Sequence, residues 1–239
     1  MTAAPVAAPR AADFLARNRG GGLFTETVNQ RIAAYLCVVA HRLGLAPTIL
    51  TLGNLVLGVG ASVLVILSAE GMADGRVSAP AVGLGALVLW HIAYSLDCAD
   101  GQLARVTGRA GPAGQRVDIL SDVALQIGLV AAVTSVAHAF SPRLPAWLMA
   151  LFAGTWMVNL ITSVLAQGSA SGSLITSRSM AVRLVKLIRD YGAMVTVVGL
   201  VLAFVPGWSL GLMIAFTVVN GAFLLASVGA AARASLRPQ

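Results

Sequence analysis

Residues 97–122 read DCADGQLARVTGRAGPAGQRVDILSD and lie between two long apolar runs. The 239-residue chain has nine acidic residues, and four of them, Asp97, Asp100, Asp118 and Asp122, fall here beside Arg105, Arg109 and Arg116. Asp97 and Asp100 are three apart, and Asp118 and Asp122 are four apart. On helices, each pair occupies one face. The connection GRAGPAG (108–114), with three glycines and a proline, breaks the helix and lets the chain turn back. Two adjacent antiparallel helices would then point four carboxylates at each other. Uncompensated charge of that kind beside a low-dielectric region is costly, and carboxylate oxygens suit divalent Mg²⁺ or Mn²⁺. An ion network with the three arginines is the plainer alternative.

The rest of the chain sets the surroundings. It is 58% hydrophobic and 10% charged, against about 25% charged in soluble domains, so a membrane class comes first. Six segments approach the length of about 20 residues that a spanning helix needs: 48–69, 80–100, 117–138, 145–167, 186–206 and 209–231. In the fifth, the purely apolar part begins at Tyr191, and only Gly207 and Trp208 separate Pro206 from Ser209. Spans five and six therefore read as a tight helical hairpin. Residues 24–43 form an amphipathic stretch, with Val28, Ile32, Tyr35, Leu36 and Val39 at helical spacing, which predicts a helix on the membrane surface. Residues 1–23, rich in Ala, Pro, Gly and Arg and lacking a secretory h-region, read as a disordered tail. The six-helix domain covers 44–232, and 233–239 is a short tail.

Fourteen of the sixteen Lys and Arg residues flank one set of span ends, leaving Arg76 and Arg143 on the other side. By the positive-inside rule both termini and the acidic stretch face the cytoplasm. The net charge of +7 forms no stripe and accompanies no nucleic-acid module, so no nucleic-acid partner is expected. Cys37 and Cys98 are far apart, without metal or disulfide spacing. His41, His91 and His138 read as structural, and Asp190 as pairing locally with Lys186 or Arg189.

The acidic stretch resembles the signature of the CDP-alcohol phosphotransferase (CDP-alcohol phosphatidyltransferase) family, D-x2-D-G-x2-A-R-x8-G-x3-D-x3-D. Asp97, Asp100, Gly101, Ala104, Arg105, Gly114, Asp118 and Asp122 match every specified position and spacing. LAPTILT (45–51) resembles a weaker element of the same family at the start of span one. Pro47 and Thr51 match it, while Thr48 stands where Asn is common. The resemblance implies an all-α integral membrane protein with six transmembrane helices, an N-terminal interfacial helix, a cytoplasmic active site and a homodimer, in the cytoplasmic membrane of a bacterium. It implies two ions, Mg²⁺ or Mn²⁺, at a metal site of Asp97, Asp100 and Asp118 with Asp122, and a catalytic set of Asp118 and Asp122, the latter as general base. Gly101, Ala104, Arg105, Gly114, Pro47 and Thr51 are implied on the nucleotide side. For Gly101 and Gly114 loop or helix-end geometry is the alternative, and for Pro47 a helix-start role.

The implied reaction is transfer of a substituted phosphate, phosphatidyl if the donor is CDP-diacylglycerol, to a polar alcohol in phospholipid biosynthesis, with release of CMP. Arg178, Arg183, Lys186 and Arg189 either bind an acceptor phosphate, with Arg116 assisting, or contact lipid phosphates at the membrane edge. No cation follows Asp122 in VALQIGL, a departure from relatives that use phosphorylated polyols. Three alternatives differ in kind. A soluble CDP-alcohol donor would keep the chemistry. A transporter would call for mid-span acids and an internal repeat. A prenyltransferase would use two separated acidic motifs and release no CMP.

Overall fold

The computed structural model describes residues 8–18, 21–158, 161 and 190–236. Among them there are helices and no strand: α1 (Ala11–Ala16), α2 (Leu23–Thr27), α3 (Asn29–Arg42), α4 (Pro47–Ala73), α5 (Ala79–Val106), α6 (Pro112–Phe140), α7 (Ala146–Trp156), α8 (Tyr191–Phe204) and α9 (Ser209–Ser235). A 3₁₀ turn, Pro206–Trp208, joins α8 to α9.

Four helical segments are long and apolar enough to cross a membrane: α4, α5, α6 and Pro206–Arg233, with mean hydropathies of 2.2, 1.5, 1.8 and 2.0. The other two expected spans, 145–167 and 186–206, correspond to the shorter α7 and α8; residues 159–160 and 162–189 lie outside the described residues. Pro47, Pro80 and Pro112 stand in the first turns of α4, α5 and α6, where no intrahelical N–H is lost. Between α5 and α6, Gly108 adopts φ 67°, a left-handed conformation that L side chains rarely take. The expected helix break is there.

Packing differs from the simple expectation for spans two and three. Both α5 and α6 lie along α4, and they make little contact with each other. The α4–α6 approach depends on Gly58, where an added Cβ would collide with Leu125 Cδ2. On its other side α5 packs against α8, where a Cβ at Gly83 would strike the Ala203 backbone. The core between these helices contains Val65, Trp90, Leu129, Val133, Val198 and Leu202, and Trp90 Nε1 donates to Ser62 Oγ at 3.2 Å. The connection from α8 to α9 is tight as expected. Beyond it, however, among the described residues α9 leans on α7 and α6 rather than running along α8.

Two readings of the N-terminal region change. Residues 11–16, inside the expected disordered tail, form α1, and Phe14 is fully buried. Its ring meets His41 edge-on and joins a cluster with Ala33, Ala34 and Cys37; one aromatic anchor orders a short, alanine-rich segment. The amphipathic stretch is two helices, α2 and α3, broken at Val28. The small residues Ala33, Ala34, Cys37 and Ala40 are buried together with Asn29 and Gln30, and α3 packs against α5. The larger Ile32, Tyr35 and Val39 point outward, at 45%, 70% and 55% exposure. That leaves an apolar face suited to a bilayer surface.

Candidate active site

The C-terminal half of α5 carries Asp97 and Asp100, and the first turns of α6 carry Asp118 and Asp122. Because α4 spaces the two helices, these side chains meet in a cleft. One carboxylate oxygen from each of Asp97, Asp100 and Asp118 lies within 4.8 Å of the others. Asp97 is also within side-chain hydrogen-bonding reach of Asp118 and Asp122. Asp100 is 6% exposed.

The first long helix supplies the floor. Thr51 Oγ1 donates to Asp100 Oδ2 at 2.5 Å, and one turn later Asn54 Nδ2 donates to Asp97 Oδ1 at 3.1 Å. These bonds leave most carboxylate lone pairs unused. Arg105 lies within electrostatic reach of Asp118. Arg109 and Arg116 are exposed, and among the described residues neither forms an ion pair with the four carboxylates. The three-arginine ion network is therefore not what compensates this cluster.

The residues fit a divalent metal. Their donors are hard oxygens gathered within one coordination sphere, their negative charge is in excess, and Asn54 Oδ1, beside them, is a buried acceptor without a hydrogen-bond partner among the described residues. Asp97, Asp100 and Asp118 could hold such an ion, with Asp122 beside Asp97.

The other expected residues divide. Thr51 reaches the cluster, and Pro47 starts its helix. Gly101 lies under Arg105, whose Nη1 would stand 3.0 Å from an added Cβ; Ala104 is half-buried on the same helix. Arg105 Nε donates to the carbonyl of Arg17 at 2.7 Å, so the N-terminal segment helps to orient that guanidinium. Gly114 is exposed, with nothing within 4 Å of an added Cβ; any crowding there would come from a bound molecule. Arg116 is exposed at the mouth of α6. Arg178, Arg183, Lys186 and Arg189 lie outside the described residues.

Asn54 was not singled out from sequence, although an amide three residues after Thr51 in an apolar run was a visible signal. Tyr191 was noted only as the start of an apolar run. It begins α8 and lies within electrostatic reach of Asp122 and Asp97. Asp190 caps α8 through Gly192 N and accepts from Thr25; its expected partners Lys186 and Arg189 lie outside the described residues. Thr25 lies far upstream, so no local spacing announces this partner.

The family model described as CDP-alcohol phosphatidyltransferase matches residues 44–226, a range that takes in α4 to α8 and most of α9. No curated protein matches the chain.

Proposed function

The chain belongs to the CDP-alcohol phosphatidyltransferase family, whose members transfer substituted phosphate groups, and from that premise we propose that it transfers a phosphatidyl group from CDP-diacylglycerol to the hydroxyl of a polar alcohol, releasing CMP. The observation that carries this reading is the cleft between α5 and α6, where the ligand oxygens of Asp97, Asp100 and Asp118 converge with Asp122 beside them. The site lies toward one end of long apolar helices, an arrangement suited to a donor whose acyl chains remain in the bilayer. In this reading the chain is a multi-pass protein of the cytoplasmic membrane, active as a homodimer, with the cleft facing the cytoplasm.

Asp97, Asp100 and Asp118 would hold two ions, Mg²⁺ or Mn²⁺, which when bound neutralise the donor diphosphate and stabilise the departing phosphate. Asp122 accepts the proton of the acceptor hydroxyl. The hydroxyl oxygen bonds to the phosphorus that carries diacylglycerol, and the bond from that phosphorus to CMP breaks. Thr51 and Asn54 keep Asp100 and Asp97 aimed into the cleft. Arg105 serves a donor phosphate with its planar guanidinium, while Gly101 and Ala104 leave space for the nucleotide along α5. The basic run 178–189 and Arg116 supply the acceptor side, which favours an acceptor that itself bears a phosphate.

The test is CMP release by the purified full chain with Mg²⁺ or Mn²⁺ and CDP-diacylglycerol. The acceptors are inositol phosphate, glycerol 3-phosphate, serine, free inositol and none. Release with one acceptor, abolished in Asp122→Asn, supports the reaction and names the acceptor. Failure to bind CDP-diacylglycerol sinks the lipid donor, and a soluble CDP-alcohol takes its place.

A further inference from the structure

Asp190 is 3% exposed, and among the described residues two of its hydrogen bonds come from a residue near the other end of the chain. Thr25 donates to it twice, from its backbone N–H at 3.0 Å and from its hydroxyl at 2.5 Å. Asp190 in turn accepts from Gly192 N at 3.1 Å, fixing the first turn of α8. The Thr25 hydroxyl has one hydrogen, already given to Asp190, so in the 3.2 Å contact with Tyr94 the phenol is the donor. The Tyr94 ring then meets Tyr191 edge-on, with centroids 4.8 Å apart. Gly22 closes the contact: a Cβ there would run into the Asp190 side chain.

A second relay runs parallel to the first. Asn29 Nδ2 donates to Ser95 Oγ at 3.1 Å and reaches His91 Nδ1 at 3.2 Å. His91 Nε2 is 2.9 Å from Thr196 Oγ1, whose hydrogen goes to the Gly192 carbonyl. His91 must therefore donate from Nε2 and accept at Nδ1. Residues 22–29 are thus bonded to both α5 and α8, and they lie outside the range 44–226 that the family model matches.

The two relays end beside the carboxylate cleft. Tyr94 precedes Asp97 by one turn of α5, and Tyr191 heads α8. Thr51 and Asn54 of α4 bond Asp100 and Asp97, while Tyr191 at the head of α8, which packs on α5, lies within electrostatic reach of Asp122 and Asp97. We propose that residues 22–29 are a strap that holds Tyr191 as the acceptor-side wall of the active site, with Thr25 and Asp190 as positioning residues. This rests on the reaction proposed above, because Asp122 takes its proton from the acceptor. The strap joins the surface-lying α3 to that wall, while the nucleotide side depends on α4 and α5.

The test compares Thr25→Val, Thr25→Ser and Tyr191→Phe in the full chain, reading steady-state CMP release and amide hydrogen exchange of the peptide 190–196. Thr25→Val should raise the acceptor KM about tenfold while the donor KM stays within about twofold, and it should speed exchange in 190–196. Thr25→Ser keeps the hydroxyl and should behave as wild type. Tyr191→Phe should raise the acceptor KM without altering exchange. Unchanged exchange in Thr25→Val overturns the strap, and donor and acceptor KM rising together overturns its acceptor-side role. If the wild-type chain releases no CMP with any acceptor, the proposed reaction and the acceptor-side role fall together, while the exchange measurement still decides the strap.

Discussion

Thr51 and Asp100 are joined by a 2.5 Å hydrogen bond across the contact between α4 and α5. Thr51 has a second contact, to the Pro47 carbonyl one turn back, at 3.4 Å. The carboxylate is thereby oriented from a helix that does not carry it. Thr51→Val keeps the shape and removes the donor, and loss of such a supporting bond lowers metal affinity about 10- to 100-fold. Thr51→Ser should retain binding. Mn²⁺ titration followed by electron paramagnetic resonance checks this, and equal affinity in wild type and Thr51→Val would show that the bond orients nothing of consequence.

Asp122 and Asp100 should separate in their effects. Asp122→Asn removes the proposed base, which should slow CMP release by about 10²- to 10⁴-fold while Mn²⁺ still binds through Asp97, Asp100 and Asp118. Asp100→Asn should instead weaken Mn²⁺ binding. Measured together, release and binding assign the roles; loss of Mn²⁺ binding in both variants would place Asp122 among the essential ligands.

The floor of the cleft depends on close packing of α4 against α6. Gly58→Leu fills space that Leu125 occupies, and overpacking of this kind costs about 1–3 kcal/mol. A lower melting temperature is expected, with partial recovery when Leu125→Ala is added. Additive losses in the double variant would contradict the contact.

Cys37 is fully buried against α5, with its thiol 3.1 Å from the Ala99 carbonyl. Burial pushes its pKa from the usual 9.0 up to about 12. The folded chain therefore holds this proton where the unfolded chain releases it, so the thiol's contribution to stability is intact below pH 9 and is lost as pH rises toward 12. At pH 8, Cys37 should resist alkylation until the protein is denatured. Mass spectrometry of the labelled peptide checks this, and rapid labelling of the native chain would contradict the burial.

Much of the site could be read from local pattern. The spacing of Asp97, Asp100, Asp118 and Asp122, broken by GRAGPAG, required only that two helices carry them and that the chain reverse between. The length of the apolar runs pointed to long helices, and α4, α5 and α6 start near the expected positions because proline and an extended preceding residue are local signals. Asn54 was equally local, but a single amide in an apolar run carries no motif until its partner is known.

The amino-acid sequence by itself determined the helical class, the carboxylate set and the family resemblance, since each depends on residue spacing along one chain. Only the tertiary structure decided that α4 separates α5 from α6, that Phe14 anchors an N-terminal helix, and that Asp190 accepts from Thr25, 165 residues away in the chain. The physical reason is the same in all three cases. Periodicity says which face of a helix must be covered, but which neighbour covers it depends on close fit, as at Gly58 and Leu125, and on hydrogen bonds between residues far apart in the chain.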